Sequence, residues 1–440
     1  MNRSSSRYIG RGGVWVVAGL AVVLLVLLFL QFLNTDSRAT PRLPRVAHAG
    51  GEFDGLTYTN SFEALNANLA QGFTHFEIDF SWTSDGQLVC LHDWQESFER
   101  SFGGPAVGPV SLAEFEALVT ARSPVRKCTL SSLADWLTAH PETVLITDVK
   151  EDYEAALRHI QTNHPRLLDR IIPQIYQPGE FDLTRSLGFE RVIWTLYQYA
   201  GSNADVMREL SDMPVWAVTM DVVRAGQRLG RRLEELGVPS YTHTINDYAD
   251  FLYFRNLGID EVYTDTLSPE WEARELASSA VVIEDSAFYQ EELGRQQRLE
   301  REVEQFRALP TSLFDLSDNN WRTIELLNQI TDVQPLSQGF SLRSTGTDPH
   351  LALPELAEPA RSIVILLDIT AEDAGYLELF YSTRRDTGFS ESRKLQQPLR
   401  WGRNTVLIAA EDDSPITQIR IDPGVAPGLY EFNAIDIRAE

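Results

Sequence analysis

From residue 45 to residue 265 the chain alternates between short apolar runs and longer stretches in which apolar residues recur at three- and four-residue spacing. The runs are RVAHAG (45–50), FTHFEIDF (73–80), TVLITDVK (143–150), RIIPQIY (170–176), RVIWTLY (191–197), VWAVTMD (215–221), PSYTHTI (239–245) and EVYTD (261–265). Helical stretches such as NSFEALNANLAQG, YEAALRHIQTNHP and GQRLGRRLEELG lie between them, and several end at glycine. Strand and helix in alternation imply parallel crossovers, and eight such units predict an α/β fold, a closed (β/α)8 TIM barrel. An open doubly wound sheet would show the same alternation. No G-x-G-x-x-G loop follows the first run, and His48, Asp79, Asp148, Lys150, Tyr176, Asp221, His243 and Asp265 all fall at run ends, which in a barrel meet at one mouth.

After residue 316 the pattern changes to a period of two. FSLRST, HLALPE, SIVILLDIT, YLELFYST, RKLQQPL, NTVLIAA, ITQIRID and YEFNAIDIR are separated by Gly, Pro, Asp and Asn, which predicts an antiparallel β-sandwich of jelly-roll type. At the other end, residues 14–33 are apolar apart from Gln31, long enough for a transmembrane signal anchor, and no cleavage signal follows them. The expected domains are a cytoplasmic tail (1–13), the anchor (14–33), a linker (34–44), the barrel (45–280), a helical linker (281–315) and the sandwich (316–440). With arginines on both sides of the anchor, its orientation rests partly on the long C-terminal portion, which is expected to be extracytoplasmic, periplasmic in a bacterium.

Charge narrows the partners. A net charge of −25 argues against nucleic acid. Cys90 and Cys128 are the only cysteines; an oxidising compartment permits a disulfide, and two buried small residues are the alternative.

Candidate chemistry concentrates in the first three runs. Glu77 and Asp79, two apart on a strand, project from one face, and two close carboxylates repel unless a cation neutralises them. A divalent ion with oxygen ligands resolves this, with Asp148 as a third ligand. Lys150, one of three lysines in the chain, stands two residues beyond Asp148 and suits a phosphate. His48 and His92 flank the acids as an acid and base pair.

These residues carry a resemblance. AHAGG (47–51), TNSFEAL (59–65), FEIDFSWTSDGQLVCLHDW (76–94), TDVK (147–150) and VYTD (262–265) resemble the glycerophosphodiester phosphodiesterase family, of the phosphatidylinositol phospholipase C-like barrel superfamily. The resemblance implies a metal-dependent phosphodiester hydrolase with His48 and His92 catalytic, Glu77, Asp79 and Asp148 binding Ca²⁺ or Mg²⁺, and Lys150 and Asn60 contacting substrate. Three positions depart from the family pattern: Ala49 replaces the arginine after the first histidine, TyrThrAsn replaces the PEN segment, and Asp148 stands for the commoner glutamate. They leave the alcohols of the phosphodiester open, a lipid or glycan of the envelope among them. They also motivate an alternative, a degenerate barrel serving as a membrane-tethered glycan-binding or assembly protein. The sandwich resembles carbohydrate-binding jelly rolls, and Trp401, Tyr376, Tyr381 and Tyr430 are candidate sugar-stacking residues, which implies a carbohydrate partner.

Overall fold

The computed structural model describes residues 43–105, 108–121, 125–270, 282–316, 320–372 and 375–440. The expected cytoplasmic tail and membrane anchor lie outside the described residues. Among the described residues, no helix is long and apolar enough to cross a membrane.

All eight expected runs form strands. They are β1 (Val46–Ala47), β2 (His75–Trp82), β4 (Val144–Val149), β5 (Ile171–Ile175), β6 (Ile193–Thr195), β7 (Ala217–Asp221), β8 (Ser240–His243) and β9 (Glu261–Thr264), with β3 (Leu88–Cys90) folding back antiparallel on β2. The eight pair in parallel, and the sheet closes because Val46 of β1 lies opposite both His75 and Tyr263. Strands covered on both faces need near-continuous apolar sequence, and Ile171, Ile172 and Ile175 are accordingly buried. Leu65, Leu133, Leu157 and Leu233, from the covering helices, complete the core. At the N-terminal end of the strands Arg45 pairs with Glu261 at 3.0 Å, fully buried, opposite the end where the polar residues gather.

Among the described residues the C-terminal β-rich region has ten strands: β10 (Thr311–Asp315), β11 (Glu325–Asn328), β12 (Ile330–Pro335), β13 (Phe340–Ser344), β14 (His350–Ala352), β15 (Ala360–Ala371), β16 (Tyr376–Thr383), β17 (Lys394–Pro398), β18 (Gly402–Asp422) and β19 (Gly428–Ala439). The pairing is antiparallel throughout. The expected runs NTVLIAA and ITQIRID are two halves of the single strand β18, which pairs with β15 through Glu411 and with β16 from Ile416. β10 begins at Thr311, inside the stretch expected to be helical linker, and pairs with β19. Of the aromatics considered for sugar stacking, Tyr381 and Tyr430 are core residues, at 9% and 1% exposure, and Tyr430 donates to the Ala426 carbonyl. Trp401 lies beneath the guanidinium of Arg232, leaving Tyr376 as the exposed ring.

Candidate active site

The first turn after β1 is shaped by backbone. Ala49 adopts φ +47°, a left-handed conformation that L-residues rarely hold, and its N–H donates to Glu77 Oε2 at 2.8 Å. Gly51 has φ +88°, and a Cβ there would meet the Asn68 side chain at 2.4 Å. That amide nitrogen donates to the carbonyls of Gly50, Glu52 and Ala64, pinning the loop to the helix Phe62–Leu69. Tyr58 and Asn60 also have positive φ. Strained conformations of this kind persist where surrounding contacts over-determine them, and they gather at functional sites.

The acids meet as their spacing predicts. Glu77, Asp79 and Asp148 each offer a carboxylate oxygen within 4.8 Å of the others. β2 and β4 run in register with Asp79 opposite Asp148, which puts the third acid beside the pair. Glu77 Oε1 is buried and has no hydrogen-bond partner among the described residues. Burial, then the charge of Asp79, holds the Glu77 carboxyl well above the usual carboxylate range. Burial also lifts Asp148 to about 6, with Asp79 adding and Lys150 opposing. An unpartnered carboxylate oxygen among two further acids fits a divalent cation with oxygen ligands. A second group, Asp348, His350 and Asp422, lies in the β-rich region. There the Arg420 guanidinium donates to Asp422 and stands 3.7 Å from Asp348, so a side chain already supplies positive charge.

Two histidines flank the acids, each held at Nδ1 by an aspartate. His48 Nδ1 lies 2.9 Å from Asp265 Oδ1, and Asp265 Oδ2 accepts from Asn246 at 2.8 Å. Burial opposes protonation of His48, but the Asp265 hydrogen bond and the charges of Glu77, Asp265 and Asp79 outweigh it and raise the imidazole to about 9. His92 Nδ1 lies 2.7 Å from Asp93 Oδ2. Burial works against the Asp93 carboxylate, yet bonds from His92, Ser97 and the Gln95 N–H hold its pKa far below the usual range. His92 Nε2 contacts Lys150 Nζ. Lys150 Nζ is also 3.6 Å from both Asp79 and Asp148.

One expected contact has a different geometry. Asn60, read as a substrate contact, is 3% exposed, and both ends of its amide engage Asp79: Oδ1 accepts from the Asp79 N–H and Nδ2 donates to Oδ2, each at 3.0 Å. Sequence reasoning assigned no role to Asp265, Asp93 or Tyr176, although all three stand beside recognised signals. Asp265 ends the VYTD run, Asp93 follows His92, and Tyr176 ends the RIIPQIY run, just past β5, and donates to Asp148 Oδ1. Tyr58, the first residue of the TyrThrAsn segment that departs from the family pattern, was given no role and packs edge-on against His48 at 4.5 Å.

Comparison with known proteins gives this geometry its setting. Residues 48–268, half of the chain, match the Glycerophosphoryl diester phosphodiesterase family. Similar solved structures include a putative glycerophosphoryl diester phosphodiesterase from Silicibacter pomeroyi, 17% identical over 56% of this chain and 97% of that one, with a TM-score of 0.45. The glycerophosphodiester phosphodiesterase of Thermotoga maritima is 18% identical over 53% and 98%, with a TM-score of 0.42. A phosphodiesterase of Oleispira antarctica, solved with the product sn-glycerol-3-phosphate, is 20% identical over 53% and 97%, with a TM-score of 0.44. No curated protein matches the chain. By the family match across half its length, the chain belongs to the glycerophosphoryl diester phosphodiesterase family and is a phosphoric diester hydrolase.

Proposed function

We propose that the barrel mouth hydrolyses a glycerophosphodiester or a related phosphodiester-linked lipid or glycan, with Ca²⁺ or Mg²⁺ held by Glu77, Asp79 and Asp148. The observation that carries this reading is the buried, unpartnered Glu77 Oε1 within a three-carboxylate group flanked by two aspartate-held histidines. A bound cation would offset the negative charge of the phosphodiester and of its transition state. Lys150 contacts a non-bridging phosphate oxygen, and Asn60 positions Asp79. One imidazole takes the proton of the attacking oxygen, from water or a neighbouring substrate hydroxyl, as the new P–O bond forms. The other gives a proton to the departing alcohol oxygen as the old P–O bond breaks. Asp265 and Asp93 fix which ring nitrogen faces the substrate in each case. The retained acids and both histidines favour hydrolysis over a degenerate, binding-only barrel.

The expected measurement is metal-dependent turnover of bis(p-nitrophenyl) phosphate, abolished by EDTA and restored by Ca²⁺ or Mg²⁺. His48→Ala and His92→Ala should each lower kcat by about 10² to 10⁴. Full activity in both variants would overturn the pair.

The apolar run 14–33 supports a membrane-tethered, extracytoplasmic enzyme. The Cys90–Cys128 disulfide, a bond rare in reducing compartments, adds to that reading. The period-two pattern from 316 supports treating the β-rich region as a separate domain, for which a carbohydrate remains our proposed partner.

A further inference from the structure

Ala49 stands where the family pattern carries an arginine, and its side chain is fully buried, so the cationic contact at that position is gone. A guanidinium approaches the mouth from elsewhere. Arg100, at the exposed face of the helix Glu96–Phe102, lies with its Cζ 5.6 Å from the centre of the Tyr58 ring, and Tyr58 packs on His48. Arg100 makes no hydrogen bond or ion pair with any described residue; the ring of Tyr58 is its contact. Both partners are held from behind. Tyr58 sits in the strained loop of residues 49–60. The helix carrying Arg100 belongs to the segment closed by the Cys90–Cys128 disulfide, and the Ala121 N–H donates to the Ser101 carbonyl at 2.8 Å.

Between these two elements lies a shallow cleft whose described lining includes Arg100, Lys127, Tyr58 and Thr57 and contains no carboxylate. Lys127 donates to the carbonyls of Phe115, Glu116 and Leu118, which leaves Arg100 as the cation with donors to offer. In a chain with 63 acidic and 38 basic residues, an acid-free cleft with an unpaired arginine beside the mouth is a local reversal of the molecule's field. The general field repels an anionic substrate, and a local positive site selects where an anion settles.

We propose that this cleft is an anion subsite in which Arg100, positioned by Tyr58, binds a second phosphate on the alcohol arm of the phosphodiester, making it a specificity-determining residue. The proposal rests on reading the mouth as the phosphodiester site. It selects substrates whose alcohol arm carries another phosphate over those with a neutral polyol arm. Guanidinium suits this because its planar fork makes paired charge-assisted bonds to phosphate oxygens while stacking on an aromatic ring.

The test is calorimetric binding to the full chain with Ca²⁺ present, comparing glycerol 1,3-bisphosphate with sn-glycerol 3-phosphate. The wild type should bind the bisphosphate about tenfold more tightly, the worth of one charge-assisted contact. Arg100→Gln should remove most of that preference, and Arg100→Lys, which keeps the charge without the fork, should retain part of it. A wild type without preference, or an Arg100→Gln variant that keeps it or weakens both ligands equally, overturns the subsite. Hydrolysis of bis(p-nitrophenyl) phosphate is read separately: absent turnover with the binding preference intact would sink the hydrolase reading and leave the subsite standing.

Discussion

Glu77 holds two roles on one carboxylate. Oε2 accepts the Ala49 N–H and fixes the turn carrying His48, while Oε1 is left buried among Asp79 and Asp148 without a partner. An ion-free site is therefore under electrostatic stress at neutral pH, and Asp148 reports the sign. Burial chiefly raises its pKa from 3.8 to about 6, so its contribution to stability is fully present below 3.8 and is lost as pH rises through 6. A cation binding the ionised acids relieves that loss, whereas at low pH protons compete for the same oxygens. Millimolar Ca²⁺ should therefore raise Tm more at pH 7.5 than at pH 5, and Glu77→Gln should remove most of the gain. Thermal unfolding across that range checks it, and an equal gain at both pH values, or in the variant, would refute the assignment. The acids and histidines were legible in the sequence because strand alternation fixes which residues share a face. The groups that hold them were less so. Asn60 grips Asp79 and Asn246 holds Asp265, each 19 residues distant in the chain, and Asp265 reaches His48 only because β1 closes against β9.

The element carrying His92 is tied to the barrel by more than β3. Cys90 and Cys128 are bonded, with Cα atoms 5.3 Å apart, and the Cys90 N–H donates to the Cys128 carbonyl at 2.9 Å. The bond closes a segment with its own small core of Val89, Leu91, Trp94, Phe98 and Phe115, a cluster too small to order a long loop alone. On chain-entropy arithmetic a loop of this length gives about 4 kcal/mol, an upper figure because reduced chains retain structure. Replacing both cysteines with alanine should thus lower Tm by several degrees and loosen the approach of His92 and Arg100 to the mouth, reducing kcat/KM. A variant with unchanged Tm and kinetics would show that the segment orders itself. This segment was illegible in the sequence: its helices Glu96–Phe102 and Leu112–Ala117 are too short for a periodic signal. The eight barrel strands were legible, because burial on both faces demands continuous apolar runs. β18 was read as two strands because the D-D-S-P stretch at 412–415 looks like a turn, whereas the chain runs on and changes partner there. β11 and β12 escaped notice because they are mostly exposed and lack alternation.

At the scale of the whole molecule, barrel and β-rich region are joined by the helix Ala287–Arg307. Phe288 packs edge-on against Phe254 on the barrel, and Val303 and Phe306 bury Leu366 of β15. Such contacts are joined by polar groups on the same helix. Glu292 supplies them: it accepts from Arg295 on its own helix and from Arg400 at 2.9 Å in the loop before β18. Burial opposes the Glu292 carboxylate, but the two guanidinium bonds prevail and lower its pKa to about 2. A carboxyl depressed from 4.5 to about 2 contributes stability that is fully present above 4.5 and is lost as pH falls toward 2. Glu292→Gln should therefore destabilise the protein by about 1.5 to 3 kcal/mol at pH 7, the range for a hydrogen bond to a charged group. The difference from wild type should shrink as pH falls from 4.5 toward 2, because the unfolded chain then takes up a proton at this glutamate while the native carboxylate stays ionised. Denaturant unfolding at pH 7 and at pH 3 checks both. A Glu292→Gln penalty that is the same at both pH values would assign the loss to packing, and would leave the joint between barrel and β-rich region resting on Phe288, Val303 and Phe306.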